Sequence, residues 1–93
     1  MMKLTQKEYL LKGRWIINGK SLEADSVCVR IEWLTSNYLV EVAADESGWN
    51  KLYQDPQDKR YWELSYPESE MHGGGPPQLL NISLKQAKSK FKI

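Results

Sequence analysis

The chain has 93 residues, which suits one domain and leaves no room for two. Hydrophobic residues make up 41% of it and charged residues 27%, which is typical of a globular protein. Its single cysteine, Cys28, cannot form an internal disulfide, so an oxidising compartment offers this fold no advantage. We therefore expect a single domain over residues 1–93.

The N-terminal segment carries charges and no targeting signal. Residues 1–11 include Lys3, Lys7 and Glu8 and contain no long apolar run, so we expect neither a signal peptide nor a membrane anchor. No other stretch approaches the length that a bilayer span needs. The expected location is the cytoplasm, with no membrane partner.

The first elements predicted along the chain are a helical turn and a β-hairpin. Residues 5–8 match the capping-box pattern and predict one helical turn, which Gly13 would end. Residues 14–18 are rich in side chains that favour strands. Asn18-Gly19 is a strong turn signal, so residues 21–23 are predicted to return as the second strand of the hairpin.

A helix is predicted next. Asp25 or Ser26 has the side chain of an N-cap. Val27, Ile31 and Leu34 then follow at spacings of four and three residues, which predicts one apolar helix face. Ser36-Asn37 is expected to end this helix.

The middle of the chain predicts a three-stranded antiparallel meander. Its strands are residues 38–44, 49–54 and 60–66, and Asp55-Pro56-Gln57-Asp58 favours a type I turn between the last two. Alternation puts Tyr38, Val40 and Val42 on one face of the first strand and Glu41 on the other. In the third strand Trp62, Leu64 and Tyr66 share one face, and Tyr61, Glu63 and Ser65 share the other.

The C-terminal third predicts a loop, a strand and a helix. Gly73-Gly74-Gly75-Pro76-Pro77 makes regular structure impossible at the end of the loop over residues 67–77. Residues 78–82 favour a strand, and Ser83 to Gln86 form a capping box for a helix to about Phe91, with Leu84, Ala87 and Phe91 facing the sheet. The predicted fold is α+β: an antiparallel sheet of four to five strands with one or two helices packed on one face.

The residues that carry chemistry are sparse. His72, the only histidine, lies beside Glu70 in the glycine-rich loop, so a small enzyme or ligand-binding protein centred there is one alternative. No nucleophile accompanies this pair in a recognisable arrangement. One histidine and one distant cysteine argue against zinc, no calcium-loop pattern occurs, and the glycines do not fit a nucleotide-binding fingerprint. We expect no metal, no cofactor and no small-molecule substrate.

The charges are distributed unevenly along the chain. Residues 41–70 hold eight acids and three bases, a net charge of −5, whereas residues 78–93 hold four lysines and no acid. The lysines best fit the solvated face and last turns of a helix, and the acidic segment opposes nucleic-acid binding. An acidic surface would instead suit a positively charged protein partner.

A long motif then suggests a family. Residues 60–77, with Trp-Glu-x-x-Tyr-Pro running into Gly-Gly-Gly-Pro-Pro, resemble the immunity protein 27 family of bacterial polymorphic-toxin and contact-dependent inhibition systems. The resemblance extends to residues 13–15, 18–20, 30–34 and 45–49 and so covers most of the chain. One departure is Lys59, where a glycine is expected in the hairpin turn.

The resemblance implies a non-enzymatic inhibitor that binds the C-terminal toxin domain of a cognate effector. Such toxin domains are often nucleases, which tend to be basic, so an acidic patch would complement the partner. The family gives no contacts at residue level. From charge and loop position we predict that the interface draws on these residues: Glu41, Asp45, Glu46, Tyr61, Glu63, Glu68, Glu70 and His72.

Overall fold

The computed structural model of the chain describes residues 3–69 and 75–93. Within them it forms seven strands and two α-helices. The strands are β1 (Leu10–Lys12), β2 (Trp15–Asn18), β3 (Ser21–Ala24), β4 (Val40–Ala44), β5 (Lys51–Gln54), β6 (Tyr61–Ser65) and β7 (Gln78–Ile82). The helices are α1 (Ser26–Trp33), which continues as a π-helical turn over Leu34–Tyr38, and α2 (Leu84–Phe91).

Five of these strands form one antiparallel sheet in the order β1-β7-β6-β5-β4, and β2 and β3 form a separate hairpin. The α+β class, the antiparallel sheet and the meander β4-β5-β6 are therefore confirmed. Strand β1 was not predicted. It is three residues long and exists through its pairing with β7, which is 66 or more residues away along the chain and so leaves no local signal.

Each face of the sheet carries one helix, whereas the sequence predicted one or two helices on a single face. One face, which we call the α1 face, presents Tyr53, Trp62, Leu64 and Leu79, and these pack with Ile31 and Leu34 from α1 and its continuation. The opposite face, the α2 face, presents Leu52 and Ile82, which pack with Ala87 and Phe91 of α2. The division follows from strand alternation, because successive side chains of β5, β6 and β7 point to opposite sides.

Both helices begin as their sequences predict. The Asp25 side chain accepts a hydrogen bond from the Cys28 backbone N–H, and Ser83 and Gln86 form the complete reciprocal capping box. Ala87 and Phe91 are buried against the sheet as expected. The placement of Leu84 was wrong: this residue, the first of α2, is 48% exposed.

The edge strand β4 also departs from its predicted pattern. Tyr38 belongs to the π-helical turn, which closes with a 2.7 Å hydrogen bond from the Leu39 N–H to the Leu34 carbonyl, so the strand begins only at Val40. A β-bulge lies between Glu41 and Ala43, where the register to β5 shifts by one residue. The predicted common face of Tyr38, Val40 and Val42 is therefore wrong, and both valines are exposed.

Two arginines fasten the N-terminal segment to this scaffold. The Arg60 guanidinium donates to the backbone carbonyls of Thr5 and Glu8 at 2.9 and 2.7 Å, and its plane lies over the Trp62 ring. Arg30 of α1 donates to both carboxylate oxygens of Glu8 at 2.6 Å. These bonds hold the chain before β1 against the end of the sheet where β5 turns into β6.

That β5–β6 turn contains the family departure noted above. The Lys59 N–H donates to the Asp55 carbonyl, and Lys59 has a φ of 69°, the left-handed conformation in which a glycine would carry no steric cost. The turn is thus one residue wider than a simple type I turn. In the described part of the chain no helix is both long enough and apolar enough to cross a membrane.

Candidate functional site

One end of the sheet gathers the loops with the most distinctive chemistry. Ala44 pairs with Lys51, and Lys51 pairs with Leu64, so the β4–β5 turn and the loop that follows β6 leave the sheet side by side. We call this the turn end and define it by residues 45–50 of the turn and residues 66–69 and 75–77 of the loop. The other end of the sheet carries the β5–β6 turn and the N-terminal segment.

Asp45 organises the β4–β5 turn. Its carboxylate accepts hydrogen bonds from the Ser47 hydroxyl at 2.6 Å, the Gly48 N–H at 3.0 Å and the Asn50 amide at 2.7 Å. The Trp49 N–H in turn donates to the Ser47 hydroxyl oxygen at 3.1 Å. These hydrogen bonds, that from Ser47 first, lower the pKa of the Asp45 carboxyl, so this group is an anion at neutral pH.

The turn presents a tryptophan to solvent. Trp49 is 70% exposed, and its ring meets the Tyr66 ring edge-on at a centroid distance of 6.1 Å. Around the two rings lies a cleft of about 470 Å³. We call it the aromatic cleft and define it by its lining residues: Ser47, Trp49, Asn50, Tyr66 and Ser69.

Sequence reasoning did not identify Trp49 as a site residue, because it treated residues 49–54 as one strand. The strand begins only at Lys51, and Trp49 belongs to the preceding turn. The available signal was the run Asp45 to Gly48, whose side chains favour a turn that carries the next residue outward. A large aromatic directly after such a run is a candidate for exposure and binding.

A glycine closes the neck of the loop after β6. Gly75 has a φ of 74°, and a Cβ at this position would overlap the Glu68 carbonyl oxygen. Only glycine therefore permits the two ends of the loop to touch here. The predicted site residues Glu70 and His72 lie outside the described residues; in the sequence they fall between Glu68 and Gly75.

The structure distributes the remaining predicted site residues over three regions. Asp45 and Glu46 lie in the turn and Glu68 in the loop, so these three share the turn end. Glu41 lies on β4 opposite Tyr53, which places it on the α1 face, and its carboxylate is 3.6 Å from the Lys51 ammonium. The alternation of β6 puts Tyr61 and Glu63 on the α2 face, as predicted.

Helix α2 covers part of the acidic segment with its own lysines. Glu63 is only 8% exposed, and its carboxylate lies 3.0 Å from the Lys90 ammonium. Glu46 is 3.4 Å from Lys92, in a pair in which both side chains are open to water. The uneven charge of the sequence is therefore partly neutralised within the fold, and Glu63 offers little surface to another molecule.

The described residues also bear on metal and thiol chemistry. Across residues 3–69 and 75–93, no group of three or more His, Cys, Asp or Glu side chains is placed to hold a metal ion. Burial raises the pKa of the Cys28 thiol, which keeps it protonated and unreactive. Cys28 lines a second groove of about 330 Å³ together with Trp15 and Ala24 of the β2–β3 hairpin, and Tyr66 lines both this groove and the aromatic cleft.

Comparison with known proteins gives one match. A family model described as Immunity protein 27 matches residues 17–83, which is well over half of the chain. The matched region includes α1, the meander, the turn end and β7. No curated protein and no solved structure matches the chain.

Proposed function

The chain belongs to the immunity protein 27 family, and we propose that it binds a cognate bacterial toxin domain and blocks that domain's active site or its access to substrate. The family match over residues 17–83 is the observation that carries this proposal. Inhibition by occlusion needs no bond-breaking by the inhibitor, so we propose no catalytic residue.

We propose the turn end as the centre of the toxin contact. It combines three carboxylates of the predicted interface, Asp45, Glu46 and Glu68, with the exposed ring of Trp49. Large aromatic side chains supply much of the binding energy in protein interfaces, while surrounding charges supply steering and specificity. A nuclease toxin presents a basic surface to its substrate, and such a surface would complement this end of the molecule.

The other predicted contacts differ in how much surface they offer. Glu41 is exposed on the neighbouring edge strand and extends the acidic surface from the turn end. We place Glu63 and Tyr61 outside the contact, because they lie on the α2 face and pack beneath that helix. Glu70 and His72 remain candidates for the contact. The loop that contains them begins and ends at the turn end, where Glu68 and Gly75 approach each other closely.

The test is binding to a candidate toxin domain, taken as the C-terminal domain of an effector where one is encoded immediately upstream of the gene for this chain. We expect co-purification of the two proteins and protection of cells that produce the toxin. The variant Glu46→Gln/Glu68→Gln should weaken binding by about tenfold, mainly through a slower association rate that depends on salt.

A matched control adds the same charge elsewhere. Gln6→Lys/Ser36→Lys also raises the net charge by two, but both exposed residues lie toward the opposite end of the sheet. We expect this control to bind the toxin domain within about twofold of the unmodified chain, because rim charges act locally at physiological salt. Equal weakening by both double variants would refute the turn end as the contact. Failure of the unmodified chain to bind would refute the function.

A further inference from the structure

The aromatic cleft has the properties of a prepared site for one side chain. Trp49 and Tyr9 are the two most exposed aromatic residues in the described part of the chain, at 70% and 68%. Of these two, Trp49 lines a cleft, whose volume of about 470 Å³ lies within the range of ligand sites. The edge-on contact with Tyr66 fixes the Trp49 ring while leaving most of its surface in water.

The turn that carries Trp49 is rigid before any partner arrives. The Asp45 carboxylate accepts three hydrogen bonds from the turn, and backbone bonds join the Asp45 N–H to the Asn50 carbonyl and the Gly48 N–H to the Asp45 carbonyl. The backbone that carries Trp49 is restrained in this way, so little backbone freedom is lost on binding.

The charge at the cleft is negative. Asp45 does not itself line the cleft, but its carboxylate accepts hydrogen bonds from Ser47 and Asn50, two of the described lining residues, so its charge lies directly behind them. None of the ion pairs formed by residues 3–69 and 75–93 involves Asp45. Its charge is therefore opposed by neutral dipoles alone, and aromatic ring faces add further negative potential.

We infer that the aromatic cleft receives an arginine side chain of the partner protein, with the guanidinium stacked on Trp49 and attracted by the nearby charge of Asp45. Arginine fits better than lysine because its planar, weakly hydrated guanidinium stacks on rings, and its five N–H groups match the oxygens of the polar lining. The identity of the protein that carries this arginine rests on the proposed function, whereas the chemistry of the cleft does not.

The first experiment needs no toxin. The chain is titrated with N-acetyl-arginine methylamide and, as a neutral isostere, with N-acetyl-citrulline methylamide, and the backbone amide signals of Gly48 and Asn50, which Trp49→Ala retains, are followed by NMR. We expect saturable binding of the arginine compound that is about two- to fivefold tighter than that of citrulline, and its loss in Trp49→Ala. Equal binding of the two compounds, or binding that Trp49→Ala leaves unchanged, would overturn the inference.

The second experiment uses the same candidate toxin domain. Trp49→Ala should weaken toxin binding by at least about tenfold, while the matched control Tyr9→Ala should change it by less than about twofold. Site-specific replacement of Trp49 by tryptophans with increasing fluorination keeps the ring shape but weakens its attraction for cations. Affinity should fall step by step along that series.

The outcomes separate the two proposals. If the unmodified chain does not bind the toxin domain, the proposed function fails, and the arginine titration still decides the cleft chemistry. If the toxin binds and the fluorinated series shows constant affinity, the proposed function stands and the arginine inference is overturned. Thermal unfolding of each variant checks that it is folded, which is expected because Trp49 is mostly exposed.

Discussion

The pair between Glu63 and Lys90 provides a quantitative test of how α2 is held on the sheet. Lys90→Met keeps most of the apolar stem of the side chain and removes the ammonium group that lies 3.0 Å from the Glu63 carboxylate. At an effective dielectric constant of about 20, two unit charges at this separation attract by about 5 kcal/mol. Most of that is offset, because Lys90 is half exposed and ordering its side chain costs up to about 2 kcal/mol.

The net loss should still be measurable, since Glu63 is 8% exposed and would keep a buried charge without its partner. We expect Lys90→Met to lower the free energy of unfolding by about 1 to 2 kcal/mol. For a domain of this size that is a fall of about 5 to 15 °C in Tm, measurable by circular dichroism or calorimetry. The loss should shrink in high salt.

Lys88→Met is the matched control. Lys88 lies in the same last turn of α2 and is exposed, so it shares the helix-dipole effect and the change in net charge. We expect this control to change stability by less than about 0.5 kcal/mol. Equal effects of the two substitutions would refute the argument that the Glu63 pair holds the helix.

Three further predictions concern other polar contacts. The Arg30 hydrogen bond lowers the pKa of Glu8 to about 2. The contribution of the ionised Glu8 to the stability of the fold is therefore complete above pH 4.5 and is lost as the pH falls toward 2. We expect Glu8→Gln to reduce this loss of stability at acid pH, measured as the free energy of unfolding from urea titrations at several pH values. An unchanged dependence of that free energy on pH would contradict this account. Burial, with the Asp55 hydrogen bond, raises the pKa of Tyr38 to about 12, so this contribution is complete below pH 10.0 and lost toward 12. Tyr38→Phe should reduce the loss of stability between pH 10.0 and 12, and the loss that remains includes the share of Tyr53, whose pKa is also raised by burial. Finally, Lys59→Gly should remove the steric cost of the left-handed backbone at this position and raise the free energy of unfolding by about 0.5 kcal/mol in urea titrations. Lys59→Val should lower the same free energy, because a β-branched side chain fits this conformation poorly.

Local patterns predicted the elements whose cause is local. The capping residues Asp25 and Ser83 and the alternation along β6 all depend on near neighbours in sequence, and each is found as expected. Strand β1 arises from pairing with the distant strand β7, and the bulge in β4 from its register with β5, and a single sequence reveals neither. The α-helical part of α1 ends at Trp33, and its predicted end at Ser36-Asn37 lies within the π-helical turn that follows.

The sequence predicted the negative charge of the candidate site but not the arrangement of its side chains. The acidic composition of residues 41–70 is visible in the sequence. What the sequence does not reveal is that α2 returns across one face, so that Lys90 and Lys92 reach Glu63 and Glu46. The exposure of Trp49 was missed for a related reason, because the point at which a strand begins is fixed by its partner strands.

The interruption in β4 limits the ways in which another polypeptide can approach the sheet. A foreign strand laid along this edge would pair with Val40 and Glu41 and then lose its register where the extra residue intervenes. The opposite edge, β1, offers only three residues. Neither border is a template for continuing the sheet into a second molecule, which protects the exposed valines from uncontrolled self-assembly. We therefore expect recognition to proceed through side chains rather than through shared backbone ladders.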